Sequence, residues 1–228
     1  MNRTGANAIS IHGKPPKEIV RPAIAARELR SLFGRGEKLY NTGKLDPNAL
    51  MAPGCCGPIS LAARDIARNF GLKAEERRVM GTLTGRMPWH QLGPTIRTGD
   101  PDPVGTAERL GLTDMAHGLT TEPQLHVIVV LEDKWLLDPT IWQIAQMSPF
   151  DTADIGDILL APIEPNPMSW CTVVFKERIM LYNEVPDTAE STWRGQVTAQ
   201  EWFRQPIVEH LTEKYRDFNG SFDIKIAA

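Results

Sequence analysis

Cysteine is scarce in this chain, and its few copies are placed unusually. The 228 residues contain three cysteines, Cys55, Cys56 and Cys171, of which two are adjacent. An odd number with two neighbours does not make a disulfide framework, which excludes a small disulfide-stapled fold. We therefore expect a reducing compartment, where a thiol stays available as a nucleophile.

Long apolar runs and an excess of charge of either sign are also missing. No apolar run approaches the roughly 18 residues that span a bilayer, and the N-terminus lacks the apolar core of a secretory signal. The net charge of −3 and the pI near 6.0 give no reason to expect nucleic acid. We expect a cytoplasmic protein with neither membrane nor nucleic-acid partners, and signal-independent export stays open. The oligomeric state is not predicted.

Metal and cofactor motifs are absent as well, because no His/Cys cluster has metal-ligand spacing. The length suits one domain with a core of ordinary size. Residues 1–20, with their Pro-Pro pair, read as an extended or mobile N-terminal arm, and residues 21–228 as a single domain. A helix is predicted to have Pro22 in its first turn and to end at Gly34 and Gly36.

The most informative stretch begins at Gly54-Cys55-Cys56-Gly57-Pro58. Apolar residues then recur at helical spacing as far as Phe70, and Gly71 is a natural stop. Pro58 suits a first helical turn. The cysteines thus lie at the positive end of a helix dipole, which favours thiolate, the nucleophilic form. Periodicity alone does not choose between Cys55 and Cys56.

A second stretch predicts a β-hairpin. Apolar residues on both sides of Glu132-Asp133-Lys134 indicate two strands joined by a tight turn. If the turn is centred on Glu132, His126 lies directly opposite Asp138, and their side chains point to the same face. A slip of one residue would separate them. With a cysteine, these residues have the chemistry of a Cys-His-Asp triad.

Four pieces of the sequence form one recognisable pattern: Gly54-x-Cys56-Gly57, Gly71-Leu72-Lys73-Ala74, His126 and Trp135-Leu136-Leu137-Asp138-Pro139-Thr140. In this pattern the chain resembles the transglutaminase-like cysteine enzymes of the papain-like fold. The resemblance spans about residues 50–145 and implies Cys56 as nucleophile, His126 as base and Asp138 as the residue that orients it. It also implies a cysteine protease, amidase or transglutaminase acting on a peptide or amide through a thioester.

Two departures leave alternatives open. The family usually has an aromatic residue after its histidine, where Val127 stands here, and no side chain for the oxyanion is identified beyond Asn41 and Asn48 as candidates by chemistry. A non-catalytic binding or assembly module on the same fold is therefore a competing hypothesis, and burial of Cys56 would favour it. An arylamine N-acetyltransferase-like enzyme is a third, and His117 is held in reserve against His126.

The remaining patterns complete an α+β prediction: a cysteine-bearing helix packed on an antiparallel sheet that carries His126 and Asp138. Strands are predicted at Ile158–Ala161, Cys171–Phe175 and Ile179–Tyr182, with Cys171 as a core residue, and a mixed-charge strand within 74–84. A capping box at Thr198 predicts a terminal helix over 199–218. The weakly patterned residues 85–123, with a short helix at 106–112, are predicted to cover the cleft.

Overall fold

The computed structural model describes residues 9–39, 56–83, 124–147, 155–163, 170–174, 179–185 and 201–218. Within these ranges lie four helices and seven strands. The helices are α1 (Lys17–Leu39), α2 (Cys56–Asn69), α3 (Ile141–Met147) and α4 (Glu201–Tyr215). The strands are β1 (Ile9–Ile11), β2 (Ala74–Leu83), β3 (Gln124–Leu131), β4 (Trp135–Asp138), β5 (Ile158–Pro162), β6 (Trp170–Val174) and β7 (Ile179–Glu184).

The strands form one curled sheet in the order β1-β5-β4-β3-β2-β7-β6. Adjacent strands in the sheet are antiparallel, except for β1 and β5, which are parallel. The α+β prediction is confirmed at this level. The strands after β4 divide between the two sides of the β3–β4 hairpin: β5 joins β4, while β7 joins β2 and carries β6 beyond it.

Alternate residues of the strands belong to two different apolar clusters. Val129, Leu131 and Leu137 pack with buried residues of α1, α2 and α4. Their neighbours in sequence, Ile128 and Leu136, pack instead with α3 and with the other strands. This alternation is the period-2 geometry of a pleated strand buried on both faces. No helix in the described ranges is both long and apolar enough to cross a bilayer.

Helix α2 lies against the sheet through small and branched residues. Ile59, Ala62, Ala63, Ile66 and Ala67 have no exposed surface, and the alanines allow a close approach to the strands. The helix ends as predicted, because Gly71 has a φ of +82°. The N–H of Leu72 then donates to the carbonyl of Ala67 at 3.1 Å, which satisfies a helix-end acceptor.

The turn between β3 and β4 is tight and strained for its sequence. Glu132 and Asp133 have φ values of +51° and +56°, a region that favours glycine and asparagine. Contacts with Lys73 compensate: its N–H donates to Glu132 Oε1 at 2.7 Å, and its Nζ lies 2.8 Å from Asp133 Oδ2. The hairpin is thereby tied to the segment that follows α2.

The N-terminal region differs from its prediction. Residues 9–20, assigned to an extended or mobile arm, contain β1 and the beginning of α1, while residues 1–8 lie outside the described ranges. Helix α1 begins at Lys17, so Pro22 lies inside the helix rather than in its first turn, and the helix continues through Gly34 and Gly36 to Leu39. A glycine costs a helix only about 1 kcal/mol, less than the burial of Leu29 and its neighbours contributes.

The remaining elements are β2, α3 and α4. The mixed-charge segment forms a ten-residue strand, β2, at the middle of the sheet. Helix α3, directly after Asp-Pro-Thr, was not predicted. Helix α4 is present from Glu201 to Tyr215, whereas the capping residue Thr198 and residues 85–123 lie outside the described ranges.

Stability depends on the buried strand residues, and two leucines provide a matched test. Leu137 is fully buried, whereas 54% of Leu125 is exposed. We expect Leu137→Ala to lower the free energy of unfolding by about 2–5 kcal/mol because it leaves a cavity, and Leu125→Ala by less than about 0.5 kcal/mol. Urea unfolding followed by circular dichroism measures both. Equal effects of the two substitutions would contradict the described packing.

Candidate active site

The three residues predicted for the triad come from the ends of three elements. Cys56 is the first residue of α2, His126 lies near the start of β3, and Asp138 is the last residue of β4. His126 interacts with both of the others: it is hydrogen-bonded to Asp138, and it lies close enough to the side chain of Cys56 for that group to raise the pKa of the ring. The structure therefore brings the three side chains together.

The hairpin register differs from the predicted one. The ladder pairs Val129 with Leu137 and Leu131 with Trp135, so the turn is centred on Asp133 rather than on Glu132. His126 and Asp138 are thus diagonal neighbours and not direct partners. A shift of the pairing by two positions leaves each side chain on the same face of the sheet, because side chains alternate with a period of two. Diagonal neighbours on one face are still close enough for long side chains to touch.

The imidazole and the carboxylate make a close, buried contact. His126 Nε2 is 2.9 Å from Asp138 Oδ1 and 2.9 Å from Oδ2. The exposed fractions of the two side chains are 2% and 0%. An ionised carboxylate only accepts hydrogen bonds, so Nε2 carries the proton and donates it. Nδ1 then remains as the ring nitrogen available to a further partner.

The electrostatics of the site favour a charged His126 ring. Burial alone would lower the pKa of His126 because the interior solvates charge poorly. The charge and hydrogen bond of Asp138, together with the contact to Cys56, act in the opposite direction and raise the pKa of His126 to about 10. Because this exceeds the ordinary value of 6.5, the charged ring stabilises the fold fully below about pH 6.5. That contribution is lost as the pH rises toward 10.

Each oxygen of the Asp138 carboxylate has a second donor. The backbone N–H of Thr140 donates to Oδ1 at 2.9 Å, which is the short turn typical of aspartate before proline. The hydroxyl of Tyr182, on β7, donates to Oδ2 at 2.8 Å. Thr140 Oγ1 also lies 3.4 Å from His126 Nε2. The carboxylate is therefore saturated with partners at full burial.

One turn into α2, a serine ties the helix to the histidine strand. Ser60 has no exposed surface, and its hydroxyl donates to the carbonyl oxygen of Val127 at 2.7 Å. Val127 directly follows His126, and Ser60 lies one helical turn after Cys56. This hydrogen bond therefore fixes the first turn of α2, with Cys56, relative to the part of β3 that carries His126.

The burial of the thiol bears on the competing hypotheses. Only 7% of Cys56 is exposed, and burial was the feature expected of a non-catalytic module. Cys171 on β6 is similarly buried, with 9% of its surface exposed, which agrees with its prediction as a core residue. Cys55, Asn41, Asn48 and His117 lie outside the described ranges. Within those ranges, no group of three or more His, Cys, Asp or Glu side chains is placed to hold a metal ion.

Compared with protein-family models, with curated proteins and with solved structures, the chain matches none. A function for this chain can therefore be inferred only from the geometry of the site.

Two residues of the site were not singled out from the sequence. Ser60 reads as a small helix residue, and no sequence pattern distinguishes its hydroxyl. Tyr182 carried a weak signal: it falls in a predicted strand of otherwise apolar residues, and a buried tyrosine usually finds a partner for its hydroxyl. The partner itself, on a strand three places away in the sheet, was not deducible.

Replacing the carboxylate tests the cause of the histidine charge. In Asp138→Asn the negative charge is removed while burial remains, so we expect the pKa of His126 to fall well below 10. Asp133→Asn makes the same chemical change in the exposed hairpin turn and should leave the His126 titration unchanged. Ring carbon–proton NMR spectra recorded across the pH range measure both. An unaltered titration in Asp138→Asn would show that Asp138 is not the source of the shift.

The Ser60 hydrogen bond yields a prediction on stability. Ser60→Ala leaves a buried carbonyl without this donor, and we expect a loss of about 1–3 kcal/mol in the free energy of unfolding. Thr212→Ala removes a hydroxyl from an exposed contact with Asn69, where water replaces it, and should cost less than about 0.5 kcal/mol. Urea unfolding compares the two. If both variants unfold at the wild-type midpoint, the Ser60 contact does not stabilise the fold.

Proposed function

We propose that the chain is a thiol acyl-transfer enzyme, a cysteine protease or amidase that acts through a Cys56 thioester. The observation that carries this proposal is the position of His126. One ring nitrogen binds Asp138, and the ring also contacts the thiol at the start of α2. This is the arrangement that a nucleophile, its base and an orienting group require.

The first half of the reaction uses the pair as thiolate and imidazolium. The Cys56 sulfur attacks the carbonyl carbon of a peptide or amide and forms a C–S bond, and the carbonyl oxygen becomes an oxyanion. When the oxyanion collapses, the C–N bond breaks and the His126 imidazolium gives its proton to the departing amine. A thioester on Cys56 and a neutral imidazole remain.

The second half regenerates the site. Neutral His126 takes a proton from water as the water oxygen attacks the thioester carbon, and the C–S bond then breaks to release a carboxylic acid and the Cys56 thiolate. An amine in place of water would give a transglutaminase reaction by the same steps. Hydrolysis is the form proposed, because water is always available and no described feature selects an amine.

The architecture supports a papain-like, transglutaminase-like assignment at the level of arrangement. A helix with a cysteine at its first residue packs on a largely antiparallel sheet, and a hairpin of that sheet provides His126 and Asp138 in sequence order. Asp-Pro-Thr after β4 belongs to the resemblance seen in the sequence. In this structure it contributes the Thr140 N–H that holds the acid.

A non-catalytic binding module is the second candidate, and the 7% exposure of Cys56 favours it. Such a module would keep the buried His126–Asp138 pair as structure and would not present a reactive thiol. The two candidates differ in the chemistry of one atom, the Cys56 sulfur, which is measurable without knowing a substrate.

Alkylation by iodoacetamide as a function of pH tests the proposal. We expect Cys56 to label at pH 6 at least about tenfold faster than Cys171, because the thiolate is the reactive form and Cys56 lies beside the His126 ring. Cys171 is an internal control of nearly equal burial. Mass spectrometry of digested protein assigns each site. In His126→Gln the advantage of Cys56 should disappear.

Matched variants and acyl donors complete the test. Cys55→Ala should retain the fast reaction, and Cys56→Ala should abolish it. Incubation with peptide esters should then give a mass increase on Cys56 that water removes. If only acetyl-CoA acylates the cysteine, the acetyltransferase hypothesis replaces hydrolysis. If Cys56 labels no faster than Cys171, the enzyme proposal fails and the binding module stands.

A further inference from the structure

Tyr182 reaches the acid of the site from a distant part of the sheet. Strands β7 and β4 are separated by β2 and β3, and at the usual strand spacing this is about 14 Å in a flat sheet. The hydroxyl of Tyr182 nevertheless lies 2.8 Å from Asp138 Oδ2. The sheet therefore curls toward the face that carries both side chains.

A residue without a side chain stands directly beside Tyr182. In the β2–β7 ladder the partner of Tyr182 is Gly81, and a methyl group there would lie 2.5 Å from Ile144 Cδ1 and 2.9 Å from Met180 Cε. The space that a side chain at Gly81 would occupy is thus filled by side chains from α3 and β7. Tyr182 is held in this packing with only 1% of its surface exposed.

Three residues hydrogen-bond the Asp138 carboxylate and reach both of its oxygens, and Thr140 adds a longer contact of 3.4 Å from Oγ1 to Oδ1. Thr140 donates to Oδ1, Tyr182 donates to Oδ2, and His126 Nε2 lies at the same distance, 2.9 Å, from both oxygens. With an oxygen held on each side, the carboxylate cannot rotate about its own bond. Both oxygens are thereby kept within hydrogen-bond distance of His126 Nε2.

We propose that Tyr182 is a positioning residue of the site, whose hydroxyl holds the Asp138 carboxylate in the orientation that binds His126 Nε2. This role rests on the proposed function, since it matters for chemistry only if the Cys56–His126 pair reacts. Tyr182 touches neither the thiol nor a substrate by this account. It acts on His126 through Asp138.

The surroundings keep Tyr182 in the role of donor. Burial and the neighbouring charge of Asp138 raise the pKa of Tyr182 well above its ordinary value of 10, so the hydroxyl retains its proton at any pH at which the fold is studied. A buried carboxylate requires such donors, because water does not reach it. With Phe in place of Tyr182, Oδ2 would keep, among the described residues, only its contact with His126.

Tyr182→Phe removes the hydroxyl and preserves the ring. We expect the Nε2–H proton resonance of His126 to move upfield and broaden, because the carboxylate gains rotational freedom and the hydrogen bond weakens. We also expect Cys56 alkylation at pH 6 to slow by about threefold to tenfold, the effect of one hydrogen bond. A loss of packing alone would lower the melting temperature without changing the resonance.

Tyr215→Phe is the matched control. Tyr215 also donates its hydroxyl to a carboxylate, that of Glu28, in the contact between α4 and α1. Its substitution makes the same chemical change away from the site, so the resonance of His126 and the Cys56 rate should remain as in the wild type. Incorporation of 3-fluorotyrosine at position 182 keeps a donor in place and should preserve both signals.

The outcomes separate this inference from the proposed function. If wild-type Cys56 is unreactive but the resonance changes in Tyr182→Phe alone, Tyr182 positions a structural pair and only the enzyme proposal fails. If wild-type Cys56 is reactive and Tyr182→Phe keeps both its rate and its resonance, the positioning role is overturned. A downfield, sharpened resonance would also overturn it, because Tyr182 would then compete with His126 for the carboxylate.

Discussion

The hydrogen bond between His126 and Asp138 is the constraint on which the rest of this structure depends. Both side chains are almost entirely removed from water, and a buried ion pair that lacks further hydrogen bonds is unfavourable. The fold therefore has to supply donors for the carboxylate and a partner for the second ring nitrogen. Thr140, Tyr182 and Cys56 do so from three separate segments, which explains why the site lies where these segments converge.

The two faces of the sheet carry different sets of residues. One carries the larger apolar core beneath α1, α2 and α4, and the other carries His126, Asp138 and Tyr182 among the apolar residues near α3. Helix α2 belongs to the first face, yet its thiol contacts a histidine of the second. This is achieved because Cys56 is the first residue of the helix, so that it lies at the end of the element and not on its packed side.

The sequence predicted which elements carry the three candidate residues, but it did not predict how the strands pair. Helix α2 and its end at Gly71 followed from periodicity, and the β3–β4 hairpin followed from β-branched residues around a polar break. The register was wrong because Glu132 and Asp133 both adopt left-handed backbone and Lys134 enters the loop. These conformations are stabilised by Lys73, a distant residue. Strand β1 and Tyr182 depend on pairings across the whole sheet, which local patterns do not encode.

The place of β7 in the sheet has a consequence for the order in which the chain acquires its properties. During synthesis Cys56 is made before Asp138 and Tyr182. The neighbour of β2 on the side away from β3 is β7, which is made much later than β2. Contacts of such sequence separation form late in folding. A nascent chain that ends before β7 consequently lacks the Tyr182 contact with Asp138. The hydrogen bonds of the Asp138 carboxylate are complete only in a molecule in which β7 has already joined the sheet.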